Sequence, residues 1–449
     1  MDGRIASFRQ ALDARKTSSF HYWLLLLVAL LLITDGYDTQ SIGYVAPALV
    51  KAWGVSRPAL APVFSLGLFG VMIGAIGMTT LADKLGARRI ILACAGLYGL
   101  LSLATALVTD ISSLQIMRFL TGMALGGAMP AAIALISEYA PTRVRATMVT
   151  VGVCGFSIGG ALGGVVATAA IGTYGWQAVF VVGGIAPLLL LPVLAFTLPE
   201  SLPRLLTGKA GARAERVLHK LVPGWTPPPA GEVKAQPFVL PVAGLFADGR
   251  AIPTLLIWLV FFMNLLMLYT LSNWLPTIMT SDGVSMKAAN FATTFYQLGG
   301  AFGGLLIAYL CDKLSVRSVL PLVFLGASVF VYLIGTVGRD PTLAVAIIGA
   351  AGFCVVGGQG AANAFAGNYY PSEIRNSGIG WALGIGRLGS ILGPLLVGWL
   401  IKQGVETKTL FQLCAIPGLF SAAAIWLAAR PASDKSAPTL VASTADLKP

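Results

Sequence analysis

The sequence predicts an all-α membrane protein, twelve transmembrane helices in two parallel six-helix repeats. Three observations carry that prediction. Of 449 residues, 56% are hydrophobic and only 11% charged, where a soluble domain carries about 25% charged residues. Apolar runs near the roughly 20 residues that cross a bilayer recur along the whole chain. Motifs of the first half also return in the second at a nearly constant offset.

The runs fall at about 22–48, 59–82, 90–109, 113–138, 147–171 and 176–198, then at 252–279, 288–311, 318–337, 341–367, 377–401 and 409–429. They are numbered here as spans 1 to 12. The first run follows Arg4, Arg9, Arg15 and Lys16, a signal-like charged start. It is longer than the apolar core of a signal peptide and is broken by acids, so it reads as a retained span. The reading divides the chain into an N-terminal bundle (1–198), a cytoplasmic linker (199–250), a C-terminal bundle (251–430) and a disordered tail (431–449). The linker carries an amphipathic pattern near 202–221 and breaks at Pro223 and Pro227-Pro228-Pro229. With the N-terminus inside, 22 of the 30 lysines and arginines fall on the inner side and six outside. The other two, Arg118 and Arg387, lie within spans. That asymmetry puts both termini in the cytoplasm.

The repeat is specific. A shift of 229 carries Pro47, Gly54-Val55-Ser56 onto Pro276, Gly283-Val284-Ser285, and Leu81-Ala82-Asp83-Lys84-Leu85 onto Leu310-Cys311-Asp312-Lys313-Leu314. A shift of 230 carries Tyr139, Pro141 and Arg145 onto Tyr369, Pro371 and Arg375, and Gly159 and Gly163 onto Gly389 and Gly393. Six spans return the chain to its starting side, so the halves are parallel repeats. In transporters built this way the binding site lies between the repeats near the midplane.

The charges that break the repeat are the functional candidates. Asp35 corresponds to Asn264, Asp38 to Met267, Arg118 to Ile347, and Arg387 to Ser157. Each ion at bilayer depth costs roughly 2.5–3.5 kcal/mol on insertion scales. Asp35 and Asp38 lie three apart on one helix face, and Asp38 and Arg118 lie at similar depth. An arginine lets a buried carboxylate ionise; disturbing the pair lets it take up a proton. Arg387 has no acidic partner in its own half, and its planar fork suits a carboxylate. Aromatics available to the same space are Tyr37, Tyr44, Phe156, Trp274, Tyr296, Phe365 and Trp381.

Other chemistries find little support. Five cysteines lack metal or disulfide spacing, and two histidines stand far apart, so no metal or cofactor is expected. The net charge of +12 reads as cytoplasmic-loop charge and not as nucleic-acid binding. A membrane enzyme would need a nucleophile–base pair or a phosphate loop, and neither is found. A membrane sensor would need a larger soluble domain than the linker.

Leu81-Ala82-Asp83-Lys84-Leu85-Gly86-Ala87-Arg88-Arg89, between spans 2 and 3, resembles the signature loop of the major facilitator superfamily. The family's glycine four before the Asp is Thr79 here, and one arginine is Ala87. The resemblance makes Asp83, Lys84 and Arg88 a cytoplasmic clamp, with Asp312 its mirror. Glu138 with Arg145 reads as a second gate pair, mirrored by Glu373 and Arg375. Asp35-Gly36-Tyr37-Asp38, Arg118-Phe119-Leu120-Thr121-Gly122, Ser272-Asn273-Trp274-Leu275-Pro276 and Gly384-Ile385-Gly386-Arg387-Leu388-Gly389 resemble the aromatic acid:proton symporters of that superfamily. The resemblance implies a monomeric bacterial inner-membrane importer of a hydroxybenzoate-like acid. Asp35 and Asp38 then couple the proton and Arg118 and Arg387 matter for transport. The alternative is the same fold moving a sugar, a non-aromatic acid or an exported drug.

Overall fold

The structure, a computed structural model, describes residues 3–206, 218, 221–225, 241–336, 341–371 and 374–428. Among these, twelve helices are long and apolar enough to cross a membrane. Spans 1 to 6 are Ser19–Trp53, Arg57–Ala82, Ala87–Thr105, Ile111–Tyr139, Thr142–Tyr174 and Gln177–Thr197. Spans 7 to 12 are Ala251–Ser281, Met286–Cys311, Val316–Ile334, Thr342–Tyr369, Ser377–Lys402 and Thr407–Ala428. Helices satisfy every backbone group within the segment, which lipid demands. The outward faces are apolar: Leu189 is 71% exposed, Phe196 79% and Phe302 76%. A protein surrounded by water rarely shows so continuous an oily surface. This is a multi-pass membrane protein.

Helix ends overshoot the apolar runs. Span 1 continues to Trp53 because Gly54 accepts the left-handed backbone (φ 62°) that closes it. Span 4 breaks at Gly126-Gly127 into Ile111–Leu125 and Ala128–Tyr139.

The repeat holds at atomic level. A Cβ on Gly159 of span 5 would collide with the Ile33 carbonyl of span 1; a Cβ on Gly389 of span 11 would collide with Phe262 of span 7. Likewise Gly74 of span 2 abuts Met123 of span 4, and Gly303 of span 8 abuts Phe353 of span 10. Small residues bring the backbones together, and dispersion and packing hold helices in a solvent as apolar as they are.

Among the described residues, three short helices lie outside the spans on the linker side: Gly3–Asp13, Leu202–Leu206 and Pro241–Phe246. Gly3–Asp13 is not foreseen in the sequence. It buries Phe8 and Leu12, and Phe8 meets Trp225 edge-on at 5.1 Å. Asp13 accepts from the backbone N and Oγ1 of Thr142, each at 2.7 Å. The amphipathic pattern near 202–221 begins as the helix Leu202–Leu206; residues 207–217 and the tail 431–449 lie outside the described residues.

The halves meet across spans 1 and 7, 5 and 8, and 2 and 11. Their close contacts gather toward the predicted outer end. Gly43 sits on the Ser272 carbonyl, Gly160 on Gln40 and Gln297, and Gly164 on Tyr44 and Thr294. Ser65 Oγ donates to the Ile391 carbonyl at 2.8 Å, and Phe64 packs edge-on against Trp274 at 5.2 Å.

Candidate functional site

The site grows out of span 1. Gly36, between the two acids, lets the span touch the Phe156 backbone of span 5 without a Cβ in the way. That contact fixes the rotation of the helix and so the directions of Asp35 and Asp38. Asp38 is fully buried. Its Oδ2 accepts from Arg118 Nη1 at 3.1 Å, and its backbone carbonyl accepts from Arg118 Nη2 at 3.1 Å. Its Oδ1 accepts from Ser102 Oγ of span 3 at 2.7 Å. The Arg118 guanidinium also lies 5.7 Å from the Phe180 ring of span 6. Four spans therefore converge on one carboxylate. A buried pair is tolerable only when its remaining hydrogen-bonding groups are satisfied in this way.

Asp35 faces elsewhere. It is 4% exposed and accepts only from Thr39 Oγ1 of its own helix, at 3.3 Å. It forms no ion pair with a described residue, yet it lies within electrostatic reach of Arg387 from the other half. Arg387 donates from Nη1 to the Tyr269 hydroxyl at 3.1 Å, and its guanidinium lies 5.9 Å from that ring. Among the described residues, one guanidinium is thus neutralised by a carboxylate, and the other bonds only a phenol. A small cavity next to Arg118 is lined by Thr39, Phe64, Gly122 and Asn273 among others.

Tyr37 points into the N-terminal bundle and donates to the Val179 carbonyl at 2.9 Å. Tyr44 and Tyr296 are buried; the Tyr44 hydroxyl faces Thr294, and the Tyr296 hydroxyl has no hydrogen-bond partner among the described residues. Trp274 is fully buried; it donates from Nε1 to the Pro394 carbonyl of its own half at 3.1 Å and packs edge-on against Phe64 of the other half. Trp381 is 43% exposed and stacks on Trp258 at 5.8 Å. Phe156 is half-buried, and Phe365 meets Tyr369 at 6.2 Å. Tyr37, Tyr44, Trp274 and Tyr296 belong to one buried core, and Phe365 and Trp381 lie outside it.

The predicted gate pairing of Glu138 with Arg145 needs correction. Glu138 Oε2 accepts from the Leu202 backbone at 2.6 Å. Arg145 Nε and Nη2 donate to the Ala140 carbonyl at 3.4 Å, and its charge faces Asp13. Glu138 is drawn off by Leu202, far away in sequence, and Arg145 by the neighbouring Ala140 carbonyl and by Asp13. Arg375 repeats the local bond, donating from Nε to the Tyr370 carbonyl at 3.4 Å, so this arginine fastens the proline corner in each half. Arg88 donates to the Ala195 carbonyl, and its backbone N donates to Glu200 at 3.4 Å. Glu373 and the side chains of Asp83, Lys84 and Asp312 lie outside the described residues.

Ser102, Phe180 and Tyr269 escaped the sequence reading. A serine or tyrosine in an apolar run carries no charge to mark it, and Phe180 looks like any lipid-facing ring.

Twelve spans in two repeats, with a buried ion pair in one and a guanidinium from the other near the junction, define a membrane transporter. The chain belongs to the major facilitator superfamily, whose family profile, Major Facilitator Superfamily, matches residues 28–289 and 257–449. It is 36% identical over 426 residues to the 4-hydroxybenzoate transporter PcaK of Pseudomonas aeruginosa, covering 93% of this chain and 94% of that one. It is 36% identical to the gallate transporter of Pseudomonas putida, covering 92% and 93%. It is 32% identical to the benzoate transport protein of Acinetobacter baylyi, covering 94% and 93%. The fold is shared with the partially occluded inward-open xylose transporter XylE of E. coli: TM-score 0.72, 19% identity, 91% of this chain and 98% of that chain covered. The protein is a transporter and not an enzyme.

Proposed function

We propose that this protein imports a small, hydroxybenzoate-like aromatic carboxylate together with a proton, by alternating access. The reading places it in a bacterial inner membrane, as a monomer, with both termini in the cytoplasm. The observation that carries it is the contrast between the two membrane arginines. Arg118 is held by Asp38, whereas among the described residues the Arg387 side chain bonds only Tyr269, which leaves it available to an anion. The relatives named as aromatic-acid transporters set the substrate class.

In this reading Arg387 takes the substrate carboxylate, with Tyr269 steadying its plane. The incoming anion competes for the field that Arg387 casts on Asp35, and the loss of that field favours a proton on Asp35. Asp38 takes its proton when movement of span 4 loosens the grip of Arg118 on Oδ2, while Arg118 keeps its bond to the Asp38 backbone carbonyl. Neutralising the acids lowers the cost of drawing them into the closed, water-free state. The packed seam of Gly43, Gly160, Gly164 and Trp274 is the outer gate in its closed position. Asp83, Lys84, Arg88 and Asp312 clamp the cytoplasmic ends in the opposite state.

Uptake of labelled 4-hydroxybenzoate into proteoliposomes, with and without an inward acid gradient, tests the reading. Gradient-driven accumulation, competed by benzoate and not by xylose, is the expected result. Accumulation indifferent to the gradient would remove the coupling, and a sugar or an aliphatic acid as the better competitor would remove the substrate class.

A further inference from the structure

We infer that Ser102 is a positioning residue of the proton site, a hydroxyl that completes the hydrogen bonding of Asp38 whether that carboxyl is charged or neutral. The inference rests on the proton-symport reading above. Ser102 is fully buried in span 3 and belongs to none of the sequence motifs. Its Oγ lies 2.7 Å from Asp38 Oδ1 and 3.1 Å from the Phe180 carbonyl oxygen. A hydroxyl has one proton to give and two lone pairs, so it faces two acceptors and fully serves one at a time.

With Asp38 ionised, Arg118 holds Oδ2 and Ser102 donates to Oδ1. A proton arriving on Oδ1 reverses that bond. Oδ1 now carries the hydrogen and donates it to Ser102 Oγ, and the hydroxyl hydrogen of Ser102 turns to the Phe180 carbonyl. One proton is added and none is lost. Arg118 keeps its bond to the Asp38 backbone carbonyl at 3.1 Å and its place by the Phe180 ring at 5.7 Å. Neither state then leaves an orphaned hydrogen-bonding group at this carboxyl, the usual obstacle to titrating an acid in a dry core. Span 6 takes part twice, through the carbonyl of Phe180 toward Ser102 and through its ring toward Arg118.

The charged and titratable groups around Asp38 are few. Its own span offers Asp35 and Tyr37. Span 3 offers Tyr98, whose hydroxyl is bonded to Thr34 Oγ1 at 2.6 Å. Span 4 offers Arg118, and span 6 presents only the ring and carbonyl of Phe180. From span 11, Arg387 faces Asp35. None of these can exchange roles between donor and acceptor at Oδ1 as Ser102 does.

Infrared titration of the purified protein reads the protonated carboxyl directly, with Asp38→Asn identifying its band. Ser102→Ala removes the stronger, charge-assisted bond from the ionised form. The Asp38 band is therefore expected to appear about one pH unit higher than in the parent protein, the shift that one lost bond of this kind produces. It should also move to higher frequency, because the acid no longer donates to Ser102. Gradient-driven uptake by Ser102→Ala should extend to more alkaline pH by a similar interval. A band unchanged in both midpoint and frequency would overturn the inference. If uptake by the parent protein ignores the gradient while Ser102→Ala still moves the band, the symport reading falls and the assignment of Ser102 to Asp38 stands.

Discussion

In the core, Arg118 and Ser102 occupy both carboxyl oxygens of Asp38. Breaking such a pair from one side costs about 3–5 kcal/mol. Asp38→Asn and Arg118→Gln are each expected to lower the melting temperature of the detergent-solubilised protein and to abolish gradient-driven accumulation. The double variant should recover much of the stability, since no charge is left unpaired, and none of the accumulation. A double variant as unstable as either single one would mean that the residues act separately. Arg387 asks a different question. Arg387→Lys keeps the positive charge but loses the planar fork and its stacking on Tyr269. Its KM is expected to rise about tenfold, roughly 1.4 kcal/mol, with kcat little changed; an unchanged KM would take the substrate carboxylate away from this residue. Of these groups the sequence revealed the ions, because a charge in an apolar run stands out. It hid Ser102 and Tyr269, whose importance lies only in what they touch. The aromatics were harder to place for a related reason: a tyrosine in a membrane span can face a cleft, a bundle core or lipid. Tyr37, Tyr44 and Tyr296 turned inward.

At the scale of helices, the glycines decide which spans lie together. Gly159→Ala would drive a methyl group into the Ile33 carbonyl, and overpacking of this kind costs about 1–3 kcal/mol. Gly77 has open space around it, so Gly77→Ala should leave the melting temperature unchanged or slightly raised. Equal effects at the two positions would show that close packing of spans 1 and 5 does not limit stability. The helix Gly3–Asp13 is fastened by Asp13. Slight burial raises the affinity of its carboxyl for a proton, but hydrogen bonds from Thr142 and the charges of Arg145 and Arg9 outweigh that and hold it below the usual carboxylate range. A depressed carboxyl contributes stability above its ordinary range and loses it as pH falls through the depressed value. The melting temperature of Asp13→Asn should therefore lie below that of the parent protein at neutral pH and converge with it in acid; a gap independent of pH would dismiss the contact. This helix was within reach of a sequence reading, since Phe8, Ala11 and Leu12 share one face. Its short length and basic flanks made it look like a mere charged leader. The partner of Glu138, the Leu202 backbone, is likewise set by packing and not by order along the chain.

For the molecule as a whole, the seam between the halves sets the conformational state. Gly398 leaves room for Ala61 and for the Trp274 ring at the predicted outer gate. Gly398→Trp would wedge that gate. The expected outcome is loss of uptake with the fold intact, together with greater accessibility of an outer-seam cysteine such as Thr294→Cys to a membrane-impermeant thiol reagent. Normal uptake in the Gly398→Trp protein would show that these surfaces need not meet during the cycle.

Read alone, the sequence settled the number of spans, their class and their repeat. Those depend on hydrophobicity and length, which are summed along the chain and survive local ambiguity. It also exposed the few ions that lipid makes costly. The sequence offered Asp38 as the partner of Arg118 by depth; only the tertiary structure brought the two into contact, completed the pair with a serine from span 3, and turned Glu138 and Arg145 to other partners. A helix presents its residues in every direction around its axis, and the choice among them rests on where backbones can approach. At Gly36, Gly43 and Gly159 that approach is fixed by the neighbouring helix and not by the segment itself.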